Sequence, residues 1–409
     1  MRRLLAPALL LTALLVALTG CWDLNEIEDL ALVQAIAIDK SREIEDGFRI
    51  LVQVVDPSAV AGGGQGGGMQ KGGNRKTTFR NYVAEGESIL ATFRELSHIT
   101  SRRLFYAHTQ VITISEDLAR ERGVAGVLDF LDRSPQIRRQ VWLVISRPGM
   151  NEIFGQTAPL ETTPAVRIFG IIEVRDLISN YGVNRLGDFL RLLQGEGIEP
   201  YTAAIILSPN RALPRGQLPT DEPREEISVS QTAVFKKDRL VGWLNTNQSR
   251  GLLWVRNEIK GGIVLVPRPD AENRQKNITL DILRSSTQVT PLIGPDGAVR
   301  FRVEVDFESN IDESNRPVQL NKSQTIRHIE ELQNRAVAGE IRAALAKAQV
   351  ELGADVFGFG NTLFHKDPAY WRQIKGRWND IFPALEVEVH VKSRIRRTGL
   401  VVNPVEPAE

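Results

Sequence analysis

Cysteine is almost absent from this sequence: among 409 residues only Cys21 occurs. A lone thiol forms no internal disulfide and no Cys-x-x-Cys pair, so stability has to come from packing. An excess of charge of either sign is lacking too, with 51 basic against 50 acidic residues and a net charge of +1. That balance removes the electrostatic footprint expected of a nucleic-acid binder. Histidine is sparse, and no two of His98, His108, His328, His365 and His390 show the His-x-x-x-His spacing of metal ligands. No Gly-x-Ser-x-Gly elbow occurs, and no paired carboxylates sit in a catalytic frame. The glycine-rich run 62–73 is not a phosphate loop, because Lys71 is followed by Gly72 rather than Ser or Thr. It reads as a flexible surface loop. Beyond residue 21 there is no apolar run of about 18 residues, so no later helix is expected to cross a bilayer.

What is present begins at the N-terminus. Arg2 and Arg3 precede an uncharged apolar run over 4–18, broken only by Pro7, and small residues follow. This is the layout of a secretory signal peptide, too short to span as a helix. Leu18-Thr19-Gly20-Cys21 resembles the bacterial lipobox, in which the cysteine receives a diacylglyceryl group and an N-acyl chain and becomes the mature N-terminus. The alternative is an ordinary leader with a chance cysteine. Loss of Arg2 and Arg3 with the leader leaves 49 basic against 50 acidic residues, a net of −1. Two acyl chains on one residue suffice for stable anchoring. Trp22 is placed to sit at the bilayer interface.

The body reads as α+β. Strands are expected at 32–38 and 48–55, joined by a turn over 39–47, and again at 77–83, 110–114, 140–145 and 201–207. Between them, 87–99 and 124–131 have helical spacing, and Ser115 is placed to cap a helix that starts with Glu116 and Asp117. A proline-rich stretch at 208–226 is read as a linker. The expected division is a leader over 1–20, an N-terminal mixed α/β domain over 21–207 with a glycine-rich loop at 61–73, the linker, a C-terminal α+β domain of one or two lobes over 227–402, and a tail over 403–409. In the second half, strands are expected at 228–235, 240–244, 263–266 and 278–282. The alternation of Val299, Phe301, Val303, Val305 and Phe307 with charged residues marks a half-exposed strand. Helices follow over 323–352, ended by Gly353, and over 367–382, capped by Asp367 with Trp371, Ile374, Trp378 and Ile381 inward. A closing strand alternates over 385–391. The expected architecture is an antiparallel sheet with its helices on one side. His365 beside Asp367 reads as a polar pair at a helix cap rather than an acid–base pair. Trp371 and Trp378 read as core rather than a ligand-stacking pair.

These features describe a lipid-anchored, extracytoplasmic, two- or three-domain α/β protein without visible catalysis. They leave open a receptor subunit, a transporter's solute-binding lipoprotein or a surface hydrolase. Longer stretches narrow the choice. Cys21-Trp22-Asp23 with LALVQAIAIDK at 30–40, SRRLFYAH at 101–108, VITISEDLARERG, LDFLDRSPQIR, FKKDRLVGWLN, ADVFGFG at 354–360, HKDPAYW, IFPALEV and RIRRTGL resemble the Ger(x)C family in family order. That family comprises the lipoprotein C subunits of nutrient germinant receptors in endospore-forming bacteria. The match thins between 157 and 193, where Glu161-Thr162-Thr163-Pro164-Ala165 replaces a Pro-Ser-containing segment. The resemblance implies lipidation at Cys21, integral-membrane A and B partner subunits, a place on the outer face of the spore inner membrane, and no catalysis or cofactor. It names no ligand-binding residue. FGFG and RIRRTGL are read as scaffold.

Overall fold

The computed structural model of the chain describes residues 29–55, 78–156, 160–210, 224–267, 276–295, 297–314, 320 and 322–397. Apolar runs build the first sheet. Its strands are β1 (Leu30–Lys40), β2 (Phe48–Val55), β3 (Phe79–Gly86), β4 (Arg103–Phe105), β5 (Val111–Ser115), β6 (Trp142–Ser146), β7 (Asn184–Arg185), β8 (Tyr201–Asn210), β9 (Arg224–Lys236) and β10 (Arg239–Leu244). The strand order is β10-β9-β8-β6-β5-β1-β2-β3, with β4 beside β1 and β7 beside β6. β1, β5, β6 and β8 run parallel, and antiparallel pairs flank them on both sides.

Parallel neighbours need long crossovers. The chain supplies α2 (Glu116–Glu121) and α3 (Ala125–Arg133) between β5 and β6, then α4 (Met150–Phe154), α5 (Pro164–Glu173) and α6 (Leu186–Gln194) between β6 and β8. With α1 (Ile89–His98), these helices cover both sheet faces. Ile36, Ile38, Ile112, Ile114, Leu143 and Ile145 face α1, α2, α3 and α6, whereas Ala35, Ala37, Val111 and Val144 face α4 and α5. Burial on both faces is why these strands read as continuous apolar runs. Local signals set the helix ends. Ser88 and Ser115 accept the N–H of Ala91 and Leu118 at 3.2 Å each. Gly123, at φ +81, separates α2 from α3, and a Cβ there would lie 2.3 Å from the Asp238 carboxylate.

The stretch 208–226 does not divide two sheets. β8 pairs antiparallel with β9 from Tyr201↔Val234 out to Asn210↔Arg224, and β10 extends the same sheet. The prolines mark the connection of a hairpin, and the pairing of its arms is a long-range choice that composition does not encode.

The second sheet has the order β11-β12-β13-β14, built from β11 (Ile263–Pro267), β12 (Lys276–Ile293), β13 (Val299–Ser314) and β14 (Glu386–Arg397). The short strand expected at 278–282 is the start of an 18-residue arm. Its turn closes with the Gly297 N–H on the Gly294 carbonyl at 2.9 Å. β11 to β13 are antiparallel as expected, but β14 lies parallel to β13. A parallel partner follows from the helical crossover between them: α8 (Ser323–Ala346), a π turn at Lys347–Leu352, α9 (Phe359–Lys366), α10 (Pro368–Ile374) and α11 (Trp378–Ile381). These helices and α7 (Thr246–Val255) share a core with Phe301, Val303, Val305 and Phe307 on one face of the sheet.

Gly353 takes φ +57 to end the π turn, and Asp367 caps α10 through the Tyr370 N–H at 2.9 Å. The single helix expected over 367–382 is interrupted by a 3-10 turn at Lys375–Arg377. Gly376, a poor helix former, lies in that turn. Trp371, Ile374 and Trp378 are buried, but Ile381 is only half-buried. Among the described residues no helix is long and apolar enough to cross a membrane.

Candidate functional site

Cys21, the one residue to which the sequence assigns a chemical role, lies outside the described residues, as do the glycine-rich run 61–73 and the tail 403–409. The described chain starts beside β1. Its histidines do not converge. His98, His328 and His390 each face a surface glutamate at 3.5–4.0 Å, and His365 packs its ring on Phe364 at 5.0 Å. Asp367 uses a carboxylate oxygen as a helix cap. Among the described residues no group of three or more His, Cys, Asp or Glu could hold a metal ion.

The densest polar construction is the junction of the two sheets, built around Asp355. This carboxylate is only 3% exposed, yet four donors converge on it. Oδ1 accepts the N–H of Gly358 at 2.9 Å and of Phe359 at 3.1 Å. Oδ2 accepts the N–H of Gly360 at 2.9 Å and of the Trp378 indole at 3.1 Å. Burial outweighs these donors and pushes the carboxyl up to about 6. Gly358, at φ +77, makes the turn that aims the three amides inward.

The same segment clamps the first half of the chain. The Asn361 N–H donates to the Gly197 carbonyl at 2.8 Å, the Glu199 N–H to the Asp355 carbonyl at 2.9 Å, and the Trp371 indole to Glu196 at 2.7 Å. A Cβ on Gly197 would stand 2.4 Å from the Gly360 carbonyl carbon. Trp371 and Trp378 meet edge to face at 5.3 Å inside the core, not in a ligand slot. FGFG is therefore scaffold. So is Arg396 of RIRRTGL: it joins Arg284 on Glu308 across three strands, and the pair holds that carboxyl down to about 2. Asp355 went unnoticed in the sequence, although Asp three residues before a glycine is a turn-capping pattern.

Beside this junction lies a polar cleft of about 280 Å³. Arg175 and Arg185 stack on the Trp142 ring at 4.7 and 4.4 Å. Glu173 accepts the Trp142 indole N–H at 2.9 Å. Arg191 meets Asp188 at 3.0 Å and Arg256 meets Glu258 at 3.5 Å, so these cations are answered from within the cleft. The Tyr201 hydroxyl donates to Glu258 at 2.7 Å, and burial pushes its pKa well above the ordinary tyrosine value. Such a hydroxyl is a poor acid and stays protonated, so it offers no phenolate nucleophile. The four arginines of the cleft are each paired with a carboxylate, and the cleft presents no activated nucleophile.

Comparison with known proteins accounts for both halves of the chain. Residues 23–207 match the family described as "Spore germination protein N-terminal domain", and residues 230–399 match "Spore germination B3/GerAC like, C-terminal". The gap between the two matches, 208–229, takes in the end of β8, the start of β9 and the stretch between them. The chain is 29% identical to spore germination protein KC of Bacillus subtilis (strain 168) over 414 aligned residues, covering 99% of this chain and 98% of that one. It is 24% identical to spore germination protein B3 of the same organism, covering 95% and 96%. A crystal structure of the GerBC protein superposes with a TM-score of 0.54 at 18% identity, over 88% of this chain and 96% of the other, and shares its fold.

Proposed function

The chain belongs to the Ger(x)C family of spore germination proteins, and from that premise we propose that it is the lipid-anchored C subunit of a nutrient germinant receptor. The observation that carries this reading is the match of nearly the whole chain to germination proteins of similar length. On this reading the leader over 1–20 is removed, Cys21 carries the acyl chains, and the body stands on the outer face of the spore inner membrane beside integral-membrane A and B subunits. Confinement to the membrane raises the effective concentration of the body for those subunits without demanding high intrinsic affinity. The subunit acts by assembly and signal transmission, without catalysis. Two features support that: Asp355, whose carboxyl burial pushes up to about 6, is closed off from solvent, and the four arginines of the polar cleft are already partnered.

The test is dipicolinate release from spores lacking this chain, over a panel of amino acids, sugars and nucleosides. Loss of response to one nutrient class, restored by the wild-type gene, is the expected result. Cys21→Ala should abolish incorporation of labelled palmitate and fail to restore the response. Full restoration by the unlipidated form at native abundance would refute the anchoring role.

A further inference from the structure

A groove of about 500 Å³ opens where the chain enters the fold. Arg94, Arg102 and Arg103 line it, together with Ser101, and no carboxylate does. Arg94 and Arg102 are exposed and make no ion pair among the described residues. The polar cleft at the sheet junction differs in this respect, because Asp176, Asp188 and Glu258 line it alongside its cations. An edge-to-face contact of Phe93 with Tyr106 at 5.0 Å, backed by Phe130 stacked on Phe93 at 5.4 Å, gives the groove a rigid aromatic wall. Ile99, at the end of α1 beside it, is 53% exposed. Acidic residues nearby are Asp29 and Glu95, and Glu95 faces His98 at 3.5 Å.

The position of the groove says which surface it meets. β4 runs parallel to β1 with Leu30 opposite Arg103 and Ala31 opposite Leu104, so Ser101 and Arg102 lie at the end of the sheet where β1 begins. Only eight residues lie between Cys21 and Leu30, nine chain steps in all. Fully extended, they reach about 30 Å. A body tethered at Cys21 therefore keeps this end within that distance of the bilayer. Guanidinium groups bind phosphate oxygens in bidentate geometry, and anionic leaflets attract basic residues held close to them.

We propose that this groove is a phospholipid headgroup site, through which the tethered body rests its β1-entry end on the membrane. The proposal builds on the anchoring reading above. Arg94 and Arg102 take the headgroup phosphate, Arg103 lies at the rim, and Ile99 reaches the boundary of the acyl region.

The chain from residue 21 onward, which holds every described residue, is prepared with Cys21→Ala so that no acyl chain contributes. It is then sedimented with phosphatidylcholine vesicles, with and without phosphatidylglycerol. Binding to the anionic vesicles only is expected. A basic residue near such a surface contributes about fivefold in affinity, so Arg94→Gln with Arg102→Gln should weaken binding about 25-fold and leave the unfolding midpoint unchanged. Lys366→Gln with Arg372→Gln, two exposed cations on α9 and α10, should leave binding unaltered. Equal losses from both pairs would overturn the site in favour of diffuse charge attraction. Binding indifferent to phosphatidylglycerol would also overturn it, as would saturable heat with inorganic phosphate without vesicle binding. Because Cys21 takes no part in this assay, failed palmitate labelling in spores and failed vesicle binding are separate results.

Discussion

Replacing Asp355 by asparagine tests the account of the sheet junction, because two opposed effects of known size meet there. The carboxylate is raised from its ordinary value near 3.8 to about 6 by burial. Two units correspond to about 3 kcal/mol by which burial of the charged form weakens the fold at pH 7. Asparagine removes that penalty but keeps only one acceptor oxygen. If this oxygen stays with Gly358 and Phe359, the N–H groups of Gly360 and Trp378 are left facing an amide. Each stranded donor costs about 1–3 kcal/mol. The two effects nearly cancel at pH 7, for a net loss on the order of 1 kcal/mol.

The pH dependence separates them. A folded-state value raised above the unfolded one adds stability that is fully present below about pH 4 and is lost as pH rises through 6. Between pH 7 and pH 5 the wild type gains about 1.4 kcal/mol at this site, and the asparagine variant gains nothing there. Urea unfolding of both proteins at the two pH values, followed by tryptophan fluorescence, should show the difference between them widening by that amount. Carboxylates that do not feel Asp355 titrate alike in both and drop out; Glu199, which burial and then the Asp355 charge raise, adds a smaller change of its own. A difference that stays constant or narrows at pH 5 would mean that Asp355 titrates near its ordinary value, with the four donors outweighing burial, and the argument would fail.

Two further predictions concern the packing of α7 on α8. A Cβ on Gly251 would stand 2.1 Å from the Glu340 carbonyl oxygen, whereas one on Gly339 meets nothing within 4 Å. Gly251→Ala should therefore destabilise the protein by about 1–3 kcal/mol despite its better helix propensity, and Gly339→Ala should stabilise it by about 0.5–1 kcal/mol; equal signs in thermal unfolding would refute this. Glu340 accepts from Arg250 at 3.0 Å and from the Trp254 indole at 2.9 Å, with the Arg250 side chain only 6% exposed. Glu340→Ala should cost about 3–5 kcal/mol by stranding that cation, and adding Arg250→Met should recover most of the loss in a double-mutant cycle.

The sequence by itself determined the elements whose signals are local. Burial on both faces makes 32–38 an apolar run broken only by Gln34, and half-exposure makes 299–307 alternate, so both strands were legible with their faces. Ser115, Gly353 and Asp367 act within a few residues of themselves, so each helix end was legible too. Motif order along the chain carried the family.

The tertiary structure alone decided which strands are neighbours. Nothing within 224–244 announces that β9 and β10 complete the first sheet, or within 386–397 that β14 lies parallel to β13. Pairing is chosen by the whole chain, and a strand's own pattern gives its faces but not its partner. The same holds for the sites. Asp355 meets Trp378 across 23 residues, Glu196 meets Trp371 across 175, and Arg103 comes to lie beside Leu30 only because β4 docks on β1. Such convergence has no local signature, because each residue taken singly is an ordinary polar side chain.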